Sequence, residues 1–172
     1  MKVYDGSQSG QTTQAKPERV KVGIAEYEVT TEGAALTTSG LGSCIGVAIH
    51  DPDAGAAGLV HVMLPNAEGK EGSRAKFADT GVEALVEAME AAGAKRSSMV
   101  AKLAGGSDML DFSANGATIG SRNATQVKET LESFSIPVEG EDVGGDHGRS
   151  LRLESVTGDL VIKSANREEN RI

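Results

Sequence analysis

The chain has 172 residues, the size of one domain with a single core, and its 25 acidic against 17 basic residues give a formal net charge of −8. This acidic balance argues against a nucleic-acid binder, which would carry a basic stripe, and the scarcity of aromatic residues argues against a surface for stacking bases. A single cysteine excludes an internal disulfide, and the polar start lacks the apolar core of a signal peptide, so we expect a cytoplasmic protein.

The first part of the chain predicts a tail followed by two strands. Residues 1–19 are rich in Gln, Ser, Thr and Gly without any periodicity, which is typical of a disordered tail. Apolar residues that alternate with polar or small ones predict a first strand over 20–30. A turn at Glu32 and Gly33 then leads into a short strand over 34–38.

Two apolar runs, 44–49 and 57–64, flank a turn that contains Asp, Pro and Gly. They predict an antiparallel hairpin that brings Cys44, the only cysteine, near His61. Depending on where the turn is centred, Cys44 lies opposite Val62 or, after a slip of one residue, opposite His61. The sequence leaves this register open.

The hairpin places a thiol near an imidazole, which is the pairing that nucleophilic cysteine chemistry requires. A nearby imidazole lowers the pKa of a thiol, and the glycine-rich turn 40–43 before Cys44 can supply backbone N–H groups to an oxyanion. The local sequence alone leaves open that Cys44 is a small buried hydrophobe and that His61 is a core histidine.

The second part of the chain predicts the helices. Apolar residues at helical spacing indicate two main helices, 76–92 and 124–133, and Asn123 suits the N-cap of the second. Further strands are predicted at 98–103, 117–120, 136–143, 150–156 and 160–163.

Strands outnumber helices and several connections are hairpin-short. This pattern indicates a mixed α/β fold, a layered sandwich of a mixed, largely antiparallel sheet with two main helices. We place a single domain over 20–164 and a polar C-terminal tail over 165–172.

The sequence shows neither the spacing of metal ligands nor that of dinucleotide-binding glycines. The one cysteine and the three histidines are scattered without the pattern of a zinc site. The glycines of 40–46 and of 104–107 do not match the spacing G-x-G-x-x-G. We therefore expect no metal and no cofactor.

Several sequence blocks follow one another along the chain: LGSCIGVAI with its DP turn, GLVHVMLP, KFADTGVEALVEAM, KLAGGSDM, IGSRN and EDVGGDHGRS. In this order they resemble the chemoreceptor glutamine deamidase family (CheD) of prokaryotic chemotaxis, over residues 20–163. The resemblance implies an α/β sandwich of the deamidase-toxin kind. It also implies a protein-glutamine deamidase that converts receptor glutamine to glutamate through a Cys-His thioester mechanism and contributes to chemotaxis adaptation.

The resemblance implies three catalytic residues. Cys44 is the nucleophile, His61 is the base, and the hydroxyl of Thr38 orients the imidazole. Gly42 and Ser43 are weaker candidates for donors to an oxyanion.

Other residues match the same family blocks with less definite roles. Arg122 and Asn123 are weaker candidates for substrate or oxyanion contacts, and Asp142, Gly145 and Arg149 match as well. Hydrogen bonds that hold loops in place are at least as good an interpretation of these five residues.

The resemblance also implies the partners. The protein substrates are the helical cytoplasmic domains of chemoreceptors, and a CheC-type chemotaxis phosphatase is a second partner. The free chain is expected to be a monomer that neither binds nucleic acid nor inserts into a membrane.

Two other functions stay open. One is a regulatory binding module for the phosphatase with secondary or no catalysis, against which the intact Thr38, Cys44 and His61 argue. The other is a cysteine peptidase, for which no acidic or amide residue can be assigned to orient His61.

Overall fold

The computed structural model describes residues 18–108, 117–165 and 167–172. Within these ranges the chain forms ten strands, two α-helices and two short 3₁₀ turns. In chain order the strands are β1 (Arg19–Lys21), β2 (Tyr27–Thr30), β3 (Ala35–Leu41), β4 (Ile45–Asp51), β5 (Ala56–Val62), β6 (Val100–Gly105), β7 (Val138–Val143), β8 (Arg149–Glu154), β9 (Asp159–Ser164) and β10 (Asn170–Arg171). The helices are α1 (Ala78–Ala91) and α2 (Ile119–Ser133).

The strands form two five-stranded sheets. One has the order β1-β3-β8-β9-β10 and the other the order β2-β5-β4-β6-β7. The pairs β1–β3 and β6–β7 are parallel, and the other pairs are antiparallel. The prediction of a mixed α/β sandwich with two main helices and largely antiparallel pairing is confirmed, with the strands divided between two sheets.

The β2-β5-β4-β6-β7 sheet is the middle layer of three. On one face, Ala48 and Leu59 pack with Leu36 and Leu153 of the other sheet. The opposite face packs against the two helices, as described below. Strands β4 and β5 are buried along nearly their whole length, which explains why both are almost continuously apolar in sequence.

The helices cover the outer face of the middle sheet. Val47 and Val60 on that face belong to one apolar cluster with Leu85 of α1 and Val127 of α2. The predicted helix 76–92 is confirmed, with bounds one or two residues shorter. The inter-sheet layer and the helix layer therefore meet at the two central strands, which also carry the candidate site.

The β4–β5 hairpin is confirmed as antiparallel, but both predicted registers are wrong. Ile45 pairs with Val62 and Gly46 pairs with His61. The loop contains four residues, 52–55, and is centred between residues 53 and 54. Cys44 would lie opposite Val62 only if the loop were centred on residue 53. Since residues two apart share a face of a strand, Cys44 lies on the same face as His61, diagonally across the pair.

The predicted single strand over 20–30 is also wrong. The chain leaves β1 at Lys21 and enters β2 at Tyr27, and these two strands belong to different sheets. Between them Ala25 adopts a positive φ of 61°, which ends the extended conformation, and the apolar positions change there from even to odd numbers. This segment therefore crosses from one sheet to the other.

The start of α2 differs from its prediction. Residues 119 and 120, predicted as part of a short strand, belong to the helix, and the N-cap is Thr118, whose Oγ1 accepts from the Ser121 N–H at 3.0 Å. Asn123 is therefore not the cap but a residue inside the helix, fully buried. A buried amide inside a helix needs partners elsewhere in the fold.

The ends of the chain differ in how they relate to the sheets. The predicted disordered tail over 1–19 lies, up to residue 17, outside the described residues. The polar segment 165–172, predicted as a tail, ends in β10, and Leu160 and Ile172 exchange backbone hydrogen bonds of 3.0 and 2.9 Å. The single-domain assignment over 20–164 stays a prediction.

Asp51 holds the β4–β5 turn against the loop that follows α1, and it is fully buried. Its carboxylate accepts from the backbone N–H groups of Asp53, Ala54 and Lys95 at 2.9 to 3.2 Å. Burial acts to raise the pKa of Asp51, but these bonds and one from the Ser98 side chain together outweigh it and lower the pKa.

We expect Asp51→Asn to lower the free energy of unfolding by about 1–3 kcal/mol at neutral pH, because one amide donor would then face another donor. A lowered carboxyl pKa contributes stability that is present above the usual pKa and is lost as the pH falls through the lowered one. The difference between wild type and variant should therefore shrink in acid. Urea denaturation at several pH values checks this, with the exposed Asp53→Asn as control; a difference independent of pH would contradict it.

Candidate active site

A hydrogen bond joins the two sheets at the site. Thr38 of β3 and His61 of β5 are both buried, and Thr38 Oγ1 lies 2.8 Å from His61 Nδ1. The same hydroxyl lies 2.8 Å from the carbonyl oxygen of Val22, which can only accept. The hydroxyl proton is therefore donated to Val22, and Thr38 Oγ1 accepts from Nδ1–H of His61. This assigns the proton of the neutral imidazole to Nδ1 and leaves Nε2 with a free lone pair.

The free nitrogen of His61 is buried and unpaired. Nε2 has no hydrogen-bond partner among the described residues. Burial lowers the pKa of His61, so the imidazole is neutral near pH 7. A buried, unpaired and unprotonated nitrogen is able to take a proton from a group brought next to it.

The backbone of His61 is held by the segment that crosses between the sheets. The His61 N–H donates to Glu26 O at 3.1 Å, and the Ala25 N–H donates to His61 O at 3.0 Å. The same segment begins at Val22, the acceptor of the Thr38 hydroxyl. Both the ring and the backbone of His61 are therefore fixed independently of Cys44.

Cys44 is a free, half-buried cysteine directly before β4. It packs against the inter-sheet cluster, on the face that also carries His61. Gly46, the residue opposite His61, has no side chain, and a Cβ there would collide with Leu151. Glycine at this position therefore lets Leu151 pack closely and leaves no side chain between Cys44 and His61 on β4.

The expectation that the imidazole lowers the pKa of Cys44 is wrong for the free protein. Burial raises the pKa of the thiol, and a hydrogen bond from the backbone N–H of Cys44 itself only partly opposes this. With the thiol pKa raised and the imidazole pKa lowered, both groups are neutral at pH 7. The site holds a thiol and an imidazole, not a thiolate–imidazolium pair.

The turn that carries the thiol, which we call the Cys44 turn (residues 42–44), is fixed through its carbonyl groups. The three pairs are Gly42 O with the Ser107 N–H (2.9 Å), Ser43 O with Asn123 Nδ2 (2.9 Å) and Cys44 O with the Gly106 N–H (2.8 Å). In a trans peptide the N–H points away from the C=O of the same unit. The N–H groups of Ser43 and Cys44 therefore point away from β6 and α2.

The predicted oxyanion donors are thus placed differently by the structure. The N–H of Gly42 is used within the turn, since it donates to Gly40 O at 3.2 Å. The N–H of Ser43 has no backbone acceptor within the described ranges. Ser43 and Cys44, and not Gly42, are the residues whose N–H groups can meet a substrate oxygen.

Glycines pack the backbone closely behind the Cys44 turn. A Cβ at Gly105, where φ is +120°, would collide with Cys44 O, and a Cβ at Gly120 would collide with Gly106 O. The sequence blocks LAGGSD and IGSRN therefore supply a contact between two stretches of backbone. Only the glycines themselves signalled this contact in the sequence, and they did not reveal what they touch.

Arg122 and Asn123 are separated by the structure. Asn123 is fully buried, and its Nδ2 donates to Ser43 O and to Met63 O, both at 2.9 Å. Arg122 is exposed, and its side chain makes no hydrogen bond or ion pair with the described part of the chain. Asn123 thus belongs to the structure of the Cys44 turn, and Arg122 does not.

Arg149 supports the same region from the other side, with partners that the sequence did not identify. Its buried guanidinium donates to Gly105 O at 3.3 Å, to Gly144 O at 3.0 Å and to Asp142 Oδ1 at 3.3 Å. Gly145 O accepts from the Asp108 N–H at 3.0 Å. Asp142, Gly145 and Arg149 hold loops in place, as the second interpretation of these residues expected.

Two features of the described residues bear on other kinds of function. In the part of the chain that the structure describes, no group of three or more His, Cys, Asp or Glu residues is arranged to hold a metal ion. No helix among the described elements has the length and apolar content needed to cross a membrane.

The fold is an α/β sandwich with a buried threonine–histidine pair close to a single cysteine. The family described as CheD chemotactic sensory transduction matches residues 63–164. The chain therefore belongs to the CheD family, and the resemblance noted in the sequence is confirmed.

Three relatives show how far this similarity extends. A Haloarcula marismortui protein named probable chemoreceptor glutamine deamidase CheD is 65% identical, over 96% of this chain and 96% of its own. A Natronomonas pharaonis protein of the same name is 43% identical, over 90% and 93% of the two chains. A Halalkalibacterium halodurans protein named chemoreceptor glutamine deamidase CheD is 44% identical, over 89% and 98%.

We expect Cys44 to react with iodoacetamide with a pH midpoint above that of a cysteine in a flexible peptide, because burial raises its pKa. The measurement is the alkylation rate as a function of pH. The same chain unfolded in urea is the control, and its midpoint should return to the ordinary value. A fast rate that stays constant down to acidic pH would reveal a preformed thiolate–imidazolium pair and contradict the assignment.

Proposed function

We propose that this chain is a protein-glutamine deamidase that converts glutamine side chains of chemoreceptors to glutamate, with Cys44 as the nucleophile and His61 as the base. The observation that carries the proposal is the buried, unpaired Nε2 of His61, on the same sheet face as the thiol. The relatives named as chemoreceptor glutamine deamidases support the substrate class.

The first half of the reaction forms a thioester. As the sulfur of Cys44 bonds to the carboxamide carbon, the thiol proton moves to Nε2 of His61. Since the thiol pKa is raised and the imidazole pKa lowered, this proton transfer accompanies the attack and does not precede it. The negative oxygen of the tetrahedral intermediate accepts from the N–H groups of Ser43 and Cys44.

The intermediate then collapses and water completes the reaction. The imidazolium of His61 gives its proton to the amide nitrogen, the C–N bond breaks, and ammonia leaves. Water next gives a proton to Nε2 and attacks the thioester, the C–S bond breaks, and the thiol of Cys44 is restored. The balance is one amide and one water converted into one carboxylic acid and one ammonia.

Thr38 takes the part that a carboxylate has in many catalytic triads. Its oxygen accepts from Nδ1–H while its proton is committed to Val22 O, so His61 is held with Nε2 free for the thiol. A neutral partner stabilises an imidazolium less than a carboxylate does, which agrees with a histidine that is neutral at rest and charged only during the reaction.

Two finer points belong to the same proposal. Receptor glutamyl methyl esters would form the same thioester, with methanol as the leaving group, so their hydrolysis is a side activity of this site. A CheC-type phosphatase is the second protein partner, and it uses the open side of the Cys44 turn, where a receptor helix must also dock.

The direct test is conversion of glutamine in the cytoplasmic domain of a chemoreceptor, followed by mass spectrometry. We expect Cys44→Ala to abolish conversion, because no other residue supplies the thiol. The variant should still bind the phosphatase, because one sulfur is a small part of a docking surface. Conversion by Cys44→Ala would overturn the mechanism, and loss of phosphatase binding alone would overturn only the shared surface.

We expect Thr38→Val to lower kcat on the order of tenfold or more, because His61 then loses the partner that fixes its tautomer. Thr38→Ser, which keeps the hydroxyl, should restore most of the rate. Thr37→Val is the matched control, since this neighbour points to the opposite face of β3. Nitrogen NMR of His61 reads the tautomer directly, and a wild-type rate with a mixed tautomer would show that Thr38 has no orienting role.

A further inference from the structure

We infer that Asn123 is a positioning residue for the deamidation step: its side-chain amide fixes the direction of the Cys44 N–H, one of the two N–H groups that receive the substrate oxygen. The inference rests on the proposed function and goes beyond it, because Asn123 is fully buried and touches no substrate. Asn123 was expected to contact the substrate or the oxyanion; here it acts on the oxyanion through the backbone of the Cys44 turn.

The two donors of the Asn123 amide are both used, and they join two segments of the site. One carbonyl, Ser43 O, belongs to the peptide unit whose N–H is that of Cys44. The other, Met63 O, lies two residues beyond His61 at the end of β5. Rotation of the Ser43–Cys44 peptide would break the first bond, so the amide locks the direction of the Cys44 N–H.

Among the described residues, Asn123 is the only one that holds a carbonyl of the Cys44 turn through its side chain. The other two donors are the backbone N–H groups of Gly106 and Ser107. A substitution can therefore remove the bond to Ser43 O without removing the other two. The effect of such a change should fall on the middle peptide of the turn and not on the whole turn.

The acceptor of the same amide is unpaired. Asn123 Oδ1 is buried and has no hydrogen-bond partner within the described ranges. An unpaired buried acceptor disfavours folding, so stability alone does not account for an asparagine here. The requirement for two donors aimed at two carbonyl oxygens does account for it, because among uncharged side chains only an amide offers two donors on one atom.

His61 does not depend on this amide. Its ring is held by Thr38, and its backbone is held by Ala25 and Glu26. Loss of the Asn123 amide should therefore disturb the Cys44 N–H and leave the imidazole in place. This separation predicts a loss that appears in attack on a carbonyl and not in alkylation of the sulfur, which develops no oxyanion.

The test compares Asn123→Asp with Gln126→Glu. Both change an amide to a carboxylate of the same shape on α2, but Gln126 is only half-buried and bonds Thr130, outside the site. For folded Asn123→Asp we expect kcat for deamidation of a chemoreceptor cytoplasmic domain to fall about ten- to a hundredfold, with KM within about twofold. Its iodoacetamide rate should stay within a few-fold of wild type, and Gln126→Glu should match wild type in both assays.

Circular dichroism establishes that each variant is folded at the assay temperature. If Asn123→Asp is unfolded, Asn123→Ala, which places no carboxylate against the two carbonyls, should show the same difference between the assays. Equal losses in deamidation and alkylation, or two unfolded variants, would show a role in the fold and overturn the inference. Full deamidation by folded Asn123→Asp would also overturn it. An inactive wild type would overturn the proposed function as well, so the two failures are distinguishable.

Discussion

The hydrogen bond between Thr38 and His61 depends on the two sheets facing each other. It runs from β3 of one sheet to β5 of the other, inside an otherwise apolar layer. An imidazole buried in such a layer is neutral, and a threonine that has already given its proton to a carbonyl can only accept from it. The tautomer of His61 is thus a consequence of how the sandwich is assembled, since neither sheet alone contains both partners.

The Cys44 turn is organised on a different principle, because backbone groups hold most of it. The two residues directly after β6, Gly106 and Ser107, donate their backbone N–H groups, and Asn123 of helix α2 donates its side-chain amide. The unpaired buried atoms are concentrated here as well. Six such atoms are found among the described residues, and four of them belong to His61, Ser107, Asn123 and Arg149. His61 bonds Thr38, Ser107 and Asn123 bond the Cys44 turn, and Arg149 bonds the neighbouring Gly105. Buried polar atoms usually have hydrogen-bond partners, and the exceptions here lie where the site needs a free atom or one held in a fixed direction.

Sequence patterns predicted the features that depend on local periodicity. The continuous apolar runs of β4 and β5 and the helical spacing of α1 were sufficient to find the hairpin and the first helix. The register was not predictable, because the Asp, Pro and Gly residues of the turn are compatible with several loop lengths, and the four-residue loop was not among those considered. The break at Ala25 was missed although the apolar positions change phase there, since Val20, Val22 and Ile24 are followed by Tyr27 and Val29.

The candidate site was predictable only in part. The predicted hairpin brought Cys44 and His61 together, and the resemblance added Thr38 and the three catalytic roles. The direction of the thiol pKa was missed, because the local sequence does not show how deeply the thiol is buried. Asn123 was taken for a cap because Asn at a helix start usually is one, and the true start at Ile119 depends on packing against Gly106. Such contacts join residues far apart in the chain, which local patterns do not record.

The meeting of Gly120 with Gly106 has a mechanical consequence for the protein. Side chains usually absorb small displacements by changing rotamer, but two touching backbones have no such compliance. The first turn of α2 therefore contacts the backbone directly after β6, where the Gly106 N–H also bonds the carbonyl of Cys44. One residue, Gly106, thus contacts both the start of the helix and the reactive turn, so the position of the turn depends on how closely α2 approaches it.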